Sequence, residues 1–455
     1  MRIRRPPGPK SRNLLLGMLP QLKKDPPVFL ERIARQYGDL AFFRLSGQSV
    51  YLINHPDWVR DILVTHQSNF TKTRILERSK VLLGEGLLTS EGEFHTRQRR
   101  LVQPAFHRDR LVRYGEAMVE SAVKRSEDWD ARLAGGRELE IDLALEMPRL
   151  TLAIVAKTLF SADVSGEADE VGEALNEIFA LFDKLLLPFA DLMRKLRVPS
   201  ARRFERARDR LDKVVYGLIA ERRASRQDTG DLLSMLLLAQ DEEAGAGPKT
   251  MTDRQVRDEV MTLMIAGHET TANALLWTWY LLSQNPTAEA ALHEELKCVL
   301  NGRAPTFDDL GRLPYTTGVF AEALRLFPPA WAISRRNKQD YELADYSIPA
   351  KSILLTSPWI MHRDPRWWPE PLKFDPGRWT SEPADARPKF AFFPFGGGTR
   401  VCIGERFAWA EGVLVLAVLA QKWRMKLVPG HPVATRAAIT LRSRYGMRMI
   451  LEPRN

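Results

Sequence analysis

Phe395-Gly396-Gly397-Gly398-Thr399-Arg400-Val401-Cys402-Ile403-Gly404 is a glycine-rich turn that carries one of the chain's two cysteines and leads at once into a helical pattern. Glycine at 396, 397, 398 and 404 lets the backbone turn tightly and approach a flat partner closely, which side chains would prevent. A free thiol is mostly protonated at neutral pH. A helix N-terminus just beyond Cys402, its orphan N–H groups and Arg400 all favour the anion, the form that ligates metals. A lone cysteine is most often a small core residue, so the weight rests on the whole stretch.

Phe395, Gly398, Arg400, Cys402 and Gly404 fall in the spacing F-x-x-G-x-R-x-C-x-G. This resembles the haem-binding signature of the cytochrome P-450 family, in which a Cys thiolate holds haem iron and favours O–O cleavage. The resemblance implies a mainly α fold with small β-sheets (α+β), with haem between a long central helix and the Cys loop. It makes Cys402 the axial iron ligand and sets Phe395 and Gly396 against the cofactor. Three further segments agree with it.

Thr252 to Gln284 reads as one helix, opened by a Thr252/Gln255 capping box and ended by Asn285-Pro286. At 1.5 Å per residue it is about 50 Å long, enough to cross the molecule. Its middle is Ala266-Gly267-His268-Glu269-Thr270-Thr271. A helix-interior glycine costs about 1 kcal/mol against alanine, and threonine hydroxyls bond back to the preceding turn. A tolerated glycine beside a solvent-facing acid is the plain alternative. The segment resembles the family's oxygen-activating helix, in which a widened turn makes room for O2 and an acid–alcohol pair delivers protons. On that basis Glu269 is the acid, Thr270 the alcohol and Ala266 a residue over the haem. Glu stands where Asp is more frequent. His268 points away from the cofactor, and Ala272 stands where a zinc H-E-x-x-H motif needs its second His.

Glu322-Ala323-Leu324-Arg325 lies in an apolar-periodic run that Phe327-Pro328-Pro329 stops. An i,i+3 pair of this kind is ordinarily a solvated ion pair worth a few tenths of a kcal/mol. Here it resembles the family's buried E-x-x-R pair, which an Arg from a later meander joins; Arg378 occupies that place. The basic run from Glu93 to Arg100 sets His95 and Arg99 on one helix face. An exposed basic face is the commoner fate of such a run. The resemblance makes His95, which stands where many members have Trp, and Arg99 ligands of the haem propionates, with Arg335 and Arg400 as further contacts. Arg336 reads as a surface residue.

No linker or repeat divides the 455 residues, so residues 1–455 read as a single catalytic domain with a basic, proline-rich segment at 1–20. The 44% hydrophobic fraction is ample for a core. Asp241 to Pro248 reads as an acidic loop before the long helix. Short strands are expected at Leu40 to Leu45, Val50 to Ile53 and Ile353 to Thr356. Leu14 to Leu19 and Val413 to Ala420 are far below the roughly 20 apolar residues of a membrane span. No signal peptide is apparent, and a cytoplasmic protein of bacterial type is expected. Cys298 has no disulfide partner and reads as a structural thiol.

A net charge of +10 raises the question of nucleic acid, but the arginines are scattered and no nucleic-acid module is present. The resemblance implies haem b as cofactor, O2 as co-substrate and NAD(P)H as indirect electron source. Electrons would come from a ferredoxin and ferredoxin reductase, or from a flavoprotein reductase, steered to a basic patch by the Cys-loop face. No flavin or iron–sulfur segment follows Cys402. A monomer is expected. The substrate would be lipophilic, a fatty acid or a terpenoid or steroid-like molecule, in a pocket walled by Leu88, Ala266, Ala330 and Ile333; core packing is the plain alternative for Leu88 and Ile333. The expected activity is a haem-thiolate monooxygenase. A peroxygenase or isomerase would keep Cys402 but lack the acid–alcohol pair, and a non-enzymatic haem sensor is the alternative from another class.

Overall fold

The computed structural model describes residues 5–454 apart from 12, 14, 162–170, 176, 179–180, 182–197, 226, 242–248 and 382–385. Residues 242–248 of the expected acidic loop therefore lie outside the described residues, as do Met1 to Arg4 and Leu14. The molecule is mainly helical with small sheets, as the sequence implies.

Elements are labelled in chain order. The principal helices are α1 (Pro26–Tyr37), α2 (Gly92–Val102), α3 (Arg108–Leu133), α4 (Leu143–Phe160), α5 (Pro199–Ser225), α6 (Asp253–Gln284), α7 (Pro286–Leu300), α8 (Pro314–Leu326) and α9 (Glu405–Lys422). The strands used below are β1 (Leu40–Leu45), β2 (Gln48–Ile53), β3 (Phe70–Thr71), β4 (Leu139–Asp142), β5 (Ile333–Asn337), β6 (Ile353–Thr356), β7 (Trp423–Leu427), β8 (Thr435–Ala437), β9 (Leu441–Ser443) and β10 (Arg448–Pro453).

The long helix α6 starts and stops where its terminal residues dictate. Gln255 N–H donates to Thr252 Oγ1 at 3.3 Å and Thr252 N–H donates to Gln255 Oε1 at 2.9 Å, a reciprocal cap. At the far end Asn285 breaks the helical backbone and Pro286 opens α7. Val256, Leu275 and Trp277 are buried along its length, and α4, α5, α8 and α9 pack around it. A helix buried on nearly every side, with polar residues among the buried ones, lies inside the core. Helix α9 begins directly after Gly404 and buries Phe407, Val413, Leu414 and Leu416. A Cβ on its Gly412 would sit 2.2 Å from Phe320 of α8, so glycine there lets the two helices close on one another.

The main sheet has the order β1-β2-β6-β5-β3, with β2 and β6 parallel from Val50↔Ile353 and the other pairs antiparallel. The three expected strands are thus neighbours in one sheet. There is a second sheet, β4-β10-β7, and a hairpin, β8–β9. No helix among the described residues is long and apolar enough to cross a membrane.

Candidate haem-binding site

Gly396 (φ +76) and Gly398 (φ +69) take left-handed backbone conformations that favour glycine. A Cβ on Gly398 would sit 1.9 Å from Leu63 O, so the turn is pressed onto a distant segment by bare backbone. Cys402 N–H donates to Phe395 O at 3.0 Å and closes the loop, and Thr399 N–H donates to Gln67 Oε1 at 2.8 Å. The Phe395 ring lies 5.9 Å from Trp409. Cys402 is accessible, yet burial pushes its thiol up to about 11. A side chain that is reachable and still desolvated lines a recess. The expectation that the protein itself favours the anion is corrected here. A hydrogen bond from the Gly404 backbone and the charge of Arg99 do favour the thiolate, but desolvation outweighs them. A coordinating metal ion deprotonates such a thiol outright.

Beside the loop, α2 presents His95 and Arg99. Arg99 Nη1 donates to Val401 O at 2.9 Å, fastening α2 to the Cys loop. Arg400 makes a two-pronged pair with Glu91, one contact at 2.9 Å. Lys72, only 5% exposed, completes the group; its Nζ donates to Leu87 O at 2.8 Å and to Ser90 O at 2.6 Å. Burial lowers Lys72 to about 7, with the charge of Arg400 adding to it. Burial, then Lys72, Arg400 and Arg99, lower His95 to about 4. Burial and Arg400 lower Arg335 to about 10. Basic groups so desolvated and mutually repelling suit an anionic ligand, and their donors suit carboxylates. With the Cys402 sulfur in the adjoining recess, the donor set fits haem, iron at sulfur and propionates at the cluster.

Sequence reasoning did not find Lys72 or Glu91, because neither belongs to a periodic or motif-like stretch. It did place Arg97 and Arg100 in a basic run. Both in fact reach Asp241, which is 2% exposed, with Arg97 Nε at 3.0 Å and Arg100 Nη2 at 2.6 Å.

On α6, Thr270 Oγ1 donates to Ala266 O at 2.7 Å. The widened turn implied by the resemblance is not seen: residues 253–284 run as unbroken α-helix, and the Thr270 hydroxyl supplements the helical bonding without opening it. Glu269 is buried and accepts from Thr440 Oγ1 and from Arg442 on β9. Both partners were missed, since some 170 residues separate them from Glu269 and only the hairpin brings them back. His268 is buried, burial lowers it to about 4, and its carbonyl accepts from Thr151 Oγ1 at 2.9 Å. Burial raises Glu411 of α9 to about 8.

Among the expected wall residues, Ile333 adjoins the Cys loop, its Cδ1 lying 3.6 Å from where a Gly396 Cβ would be. Ala330 sits between Pro329, whose carbonyl accepts from Leu441 N–H at 3.0 Å, and Trp331, whose Nε1 donates to Ala438 O at 3.0 Å. Leu88 is 38% exposed in the segment that packs on α6. Behind the loop, Glu322 and Arg325 are both 0% exposed and joined at 2.7 and 2.8 Å. Arg378 Nε adds a bond to Glu322 at 3.0 Å, and Trp379 Nε1 another at 2.9 Å. Cys298, expected as a structural thiol, lies on the surface of α7 against Glu294.

The family model described as Cytochrome P450 matches residues 6–441. Cyclooctatin synthase of Streptomyces melanosporofaciens is 42% identical over 97% of this chain and 94% of its own length. Cyclooctat-9-en-7-ol 5-monooxygenase of the same organism is 37% identical, covering 91% and 88%. Pentalenene oxygenase of Streptomyces avermitilis is 34% identical over 97% and 96%. The chain belongs to the cytochrome P450 family. It is a haem-thiolate monooxygenase, using haem b, O2 and NAD(P)H-derived electrons that partner proteins deliver.

Proposed function

We propose that this enzyme inserts one oxygen atom into a terpenoid. The observation that carries the reading is that relatives aligned over almost the whole chain, such as the pentalenene oxygenase, oxidise terpenoids. The apolar character of Leu88, Ala266, Ala330 and Ile333 supports it, since a lipophilic ligand is recognised by such walls.

Haem, when bound, supplies the redox chemistry that activates O2 and transfers an oxygen atom. The rest falls to this chain. Cys402 holds the iron. His95, Arg99, Arg335 and Arg400, with Lys72, neutralise the propionates. Phe395 and Gly396 lie against the cofactor. Thr270 passes on its hydroxyl proton, and Glu269 replaces it once its carboxylate has left Arg442 and taken up a proton from solvent water. Glu322, Arg325 and Arg378 keep the core behind the loop in place. An acidic ferredoxin, or else a flavoprotein, docks at the Cys-loop face, where Arg406 is exposed in the first turn of α9. The protein acts as a single catalytic domain over residues 1–455 and as a cytoplasmic monomer, its free cysteines in keeping with a reducing compartment.

The test begins with the spectrum of the dithionite-reduced protein under carbon monoxide. A strongly red-shifted Soret band, abolished by Cys402→Ala, is expected; a histidine-type spectrum that ignores the substitution would sink the assignment. Terpenoids and fatty acids are then screened by ligand-induced Soret shifts, and a response to fatty acids alone would replace the substrate class. In Thr270→Ala, NADPH oxidation continues while product falls and peroxide rises. Unchanged coupling would take Thr270 out of proton delivery.

A further inference from the structure

The segment from Gly84 to Ser90 lies against α6 backbone to helix. Gly84 has φ +58, and a Cβ there would sit 2.1 Å from the Asp258 carboxylate; one on Gly86 would sit 2.2 Å from Thr262 Oγ1 and 2.6 Å from Asp258 O. Glycine at both places is what permits the contact. Into it α6 sends two successive carboxylates. Asp258 Oδ2 accepts Glu85 N–H at 2.9 Å, and Glu259 Oε2 accepts Leu87 N–H at 3.1 Å. Lys72 Nζ takes the other side of the same residue, donating to Leu87 O at 2.8 Å and to Ser90 O at 2.6 Å. The second Glu259 oxygen accepts Gln98 Nε2 at 3.1 Å, from the helix that carries His95 and Arg99.

Glu259 and Gln98 are 0% exposed. A buried carboxylate is costly unless it is paired and hydrogen-bonded, and an apolar residue of similar size would fill the space without that cost. Neither iron ligation nor proton delivery calls for this one. Between the two fastenings stands Leu88, 38% exposed while Leu87, Thr89 and Ser90 are buried.

The geometry points to Glu259 as a specificity-determining positioning residue: with Asp258 and Lys72 it fixes the backbone on both sides of Leu88, and so sets the room left over the haem for a bulky ligand. The inference rests on the haem-site reading above.

The test uses the haem-loaded enzyme and two iron-binding probes, imidazole and 4-phenylimidazole, titrated by the Soret shift. Imidazole reads ligation of the iron alone, and the added phenyl ring reads the room that Leu88 is proposed to limit. Leu88→Ala and Glu259→Ala should each change the ratio of the two dissociation constants by about tenfold, as expected of coupled neighbours. Glu259→Gln, which keeps an acceptor for Leu87 N–H if the Gln98 amide flips, should restore the ratio to within about twofold. In a Leu88→Ala background Glu259→Ala should add little, because its effect passes through Leu88. Asp258→Ala carries the same expectation should Glu259→Ala fail to load haem. A wild-type Soret band moved by neither probe would remove the haem site and the inference with it. An unchanged ratio in Leu88→Ala would remove Leu88 from the wall, and the inference with it. A normal response to Leu88→Ala with none to Glu259→Ala, or a full Glu259→Ala effect without Leu88, would overturn the clamp alone.

Discussion

Two clusters of charge flank the Cys loop, and they are built on opposite terms. Behind it, Glu322 meets Arg325 and Arg378, and Arg325 spends its remaining donors on the carbonyls of His362, Pro371 and Lys373. Beside it, Lys72, His95, Arg99, Arg335 and Arg400 crowd together, and burial depresses Lys72, His95 and Arg335 against their charged forms. Charges that close on one another inside a protein hold the protein. Charges that repel one another inside a protein are arranged to hold something else.

The contrast can be broken most forcefully at Arg325. Arg325→Met leaves the Glu322 carboxylate buried with less than its full set of partners, and breaking a buried pair of this kind costs about 3–5 kcal/mol. Urea denaturation of the haem-free protein would read it, and a loss below about 1 kcal/mol would mean that the triad is not what holds the core. Arg335→Met should act with the opposite sign. Without haem, removing a desolvated cation leaves stability unchanged or raises it by about 1 kcal/mol. Haem transfer to a scavenging apoglobin then quickens about tenfold, as fits the loss of one charge-assisted hydrogen bond. Equal destabilisation by both substitutions would erase the distinction between the clusters.

The smallest effect sharpens the comparison through pH. His95 titrates from the ordinary 6.5 in the unfolded chain but is held neutral down to about 4 in the folded one. Between those values the unfolded chain binds a proton that the folded chain refuses. Its share of stability is therefore present in full above about 6.5 and declines as pH falls towards 4, by at most about 1.4 kcal/mol per unit. His95→Gln should flatten the acid limb of the haem-free protein's stability curve by part of that slope, and an unaltered limb would refute the depressed value. Buried His268 keeps a similar contribution in place.

What was legible in the sequence is local. The F-x-x-G-x-R-x-C-x-G turn, the Thr252/Gln255 cap and the stops at Pro286 and Pro328 are written in neighbouring residues whose backbone needs are specific. Three of the strands in the main sheet were readable from short apolar runs, whereas β5 reads Ile333-Ser334-Arg335-Arg336-Asn337 and carries no alternation. What escaped are single charged residues that matter through distant partners. Lys72 has its meaning from Ser90, Asp241 from Arg97 and Arg100, Glu259 from Leu87 and Gln98, and Arg442 from Glu269. An isolated charge in one stretch gives no sign of which buried group it will meet. The pairing of Glu269 with Arg442 is the clearest case: the acid was recognisable from its motif, but its resting partner is known only from the fold.

The fastening of the Cys loop also fixes when the site can come into being. Arg99 reaches Val401 across 302 positions, Arg400 reaches Glu91 across 309, and Thr399 reaches Gln67 across 332. On a ribosome Lys72, His95 and Arg99 emerge first and wait for Arg335, Arg400 and the Cys402 sulfur, which lie far along the chain. Haem capture thus waits for Cys402, and a polypeptide stalled after Arg99 carries only part of the basic cluster, with nothing to hold the iron.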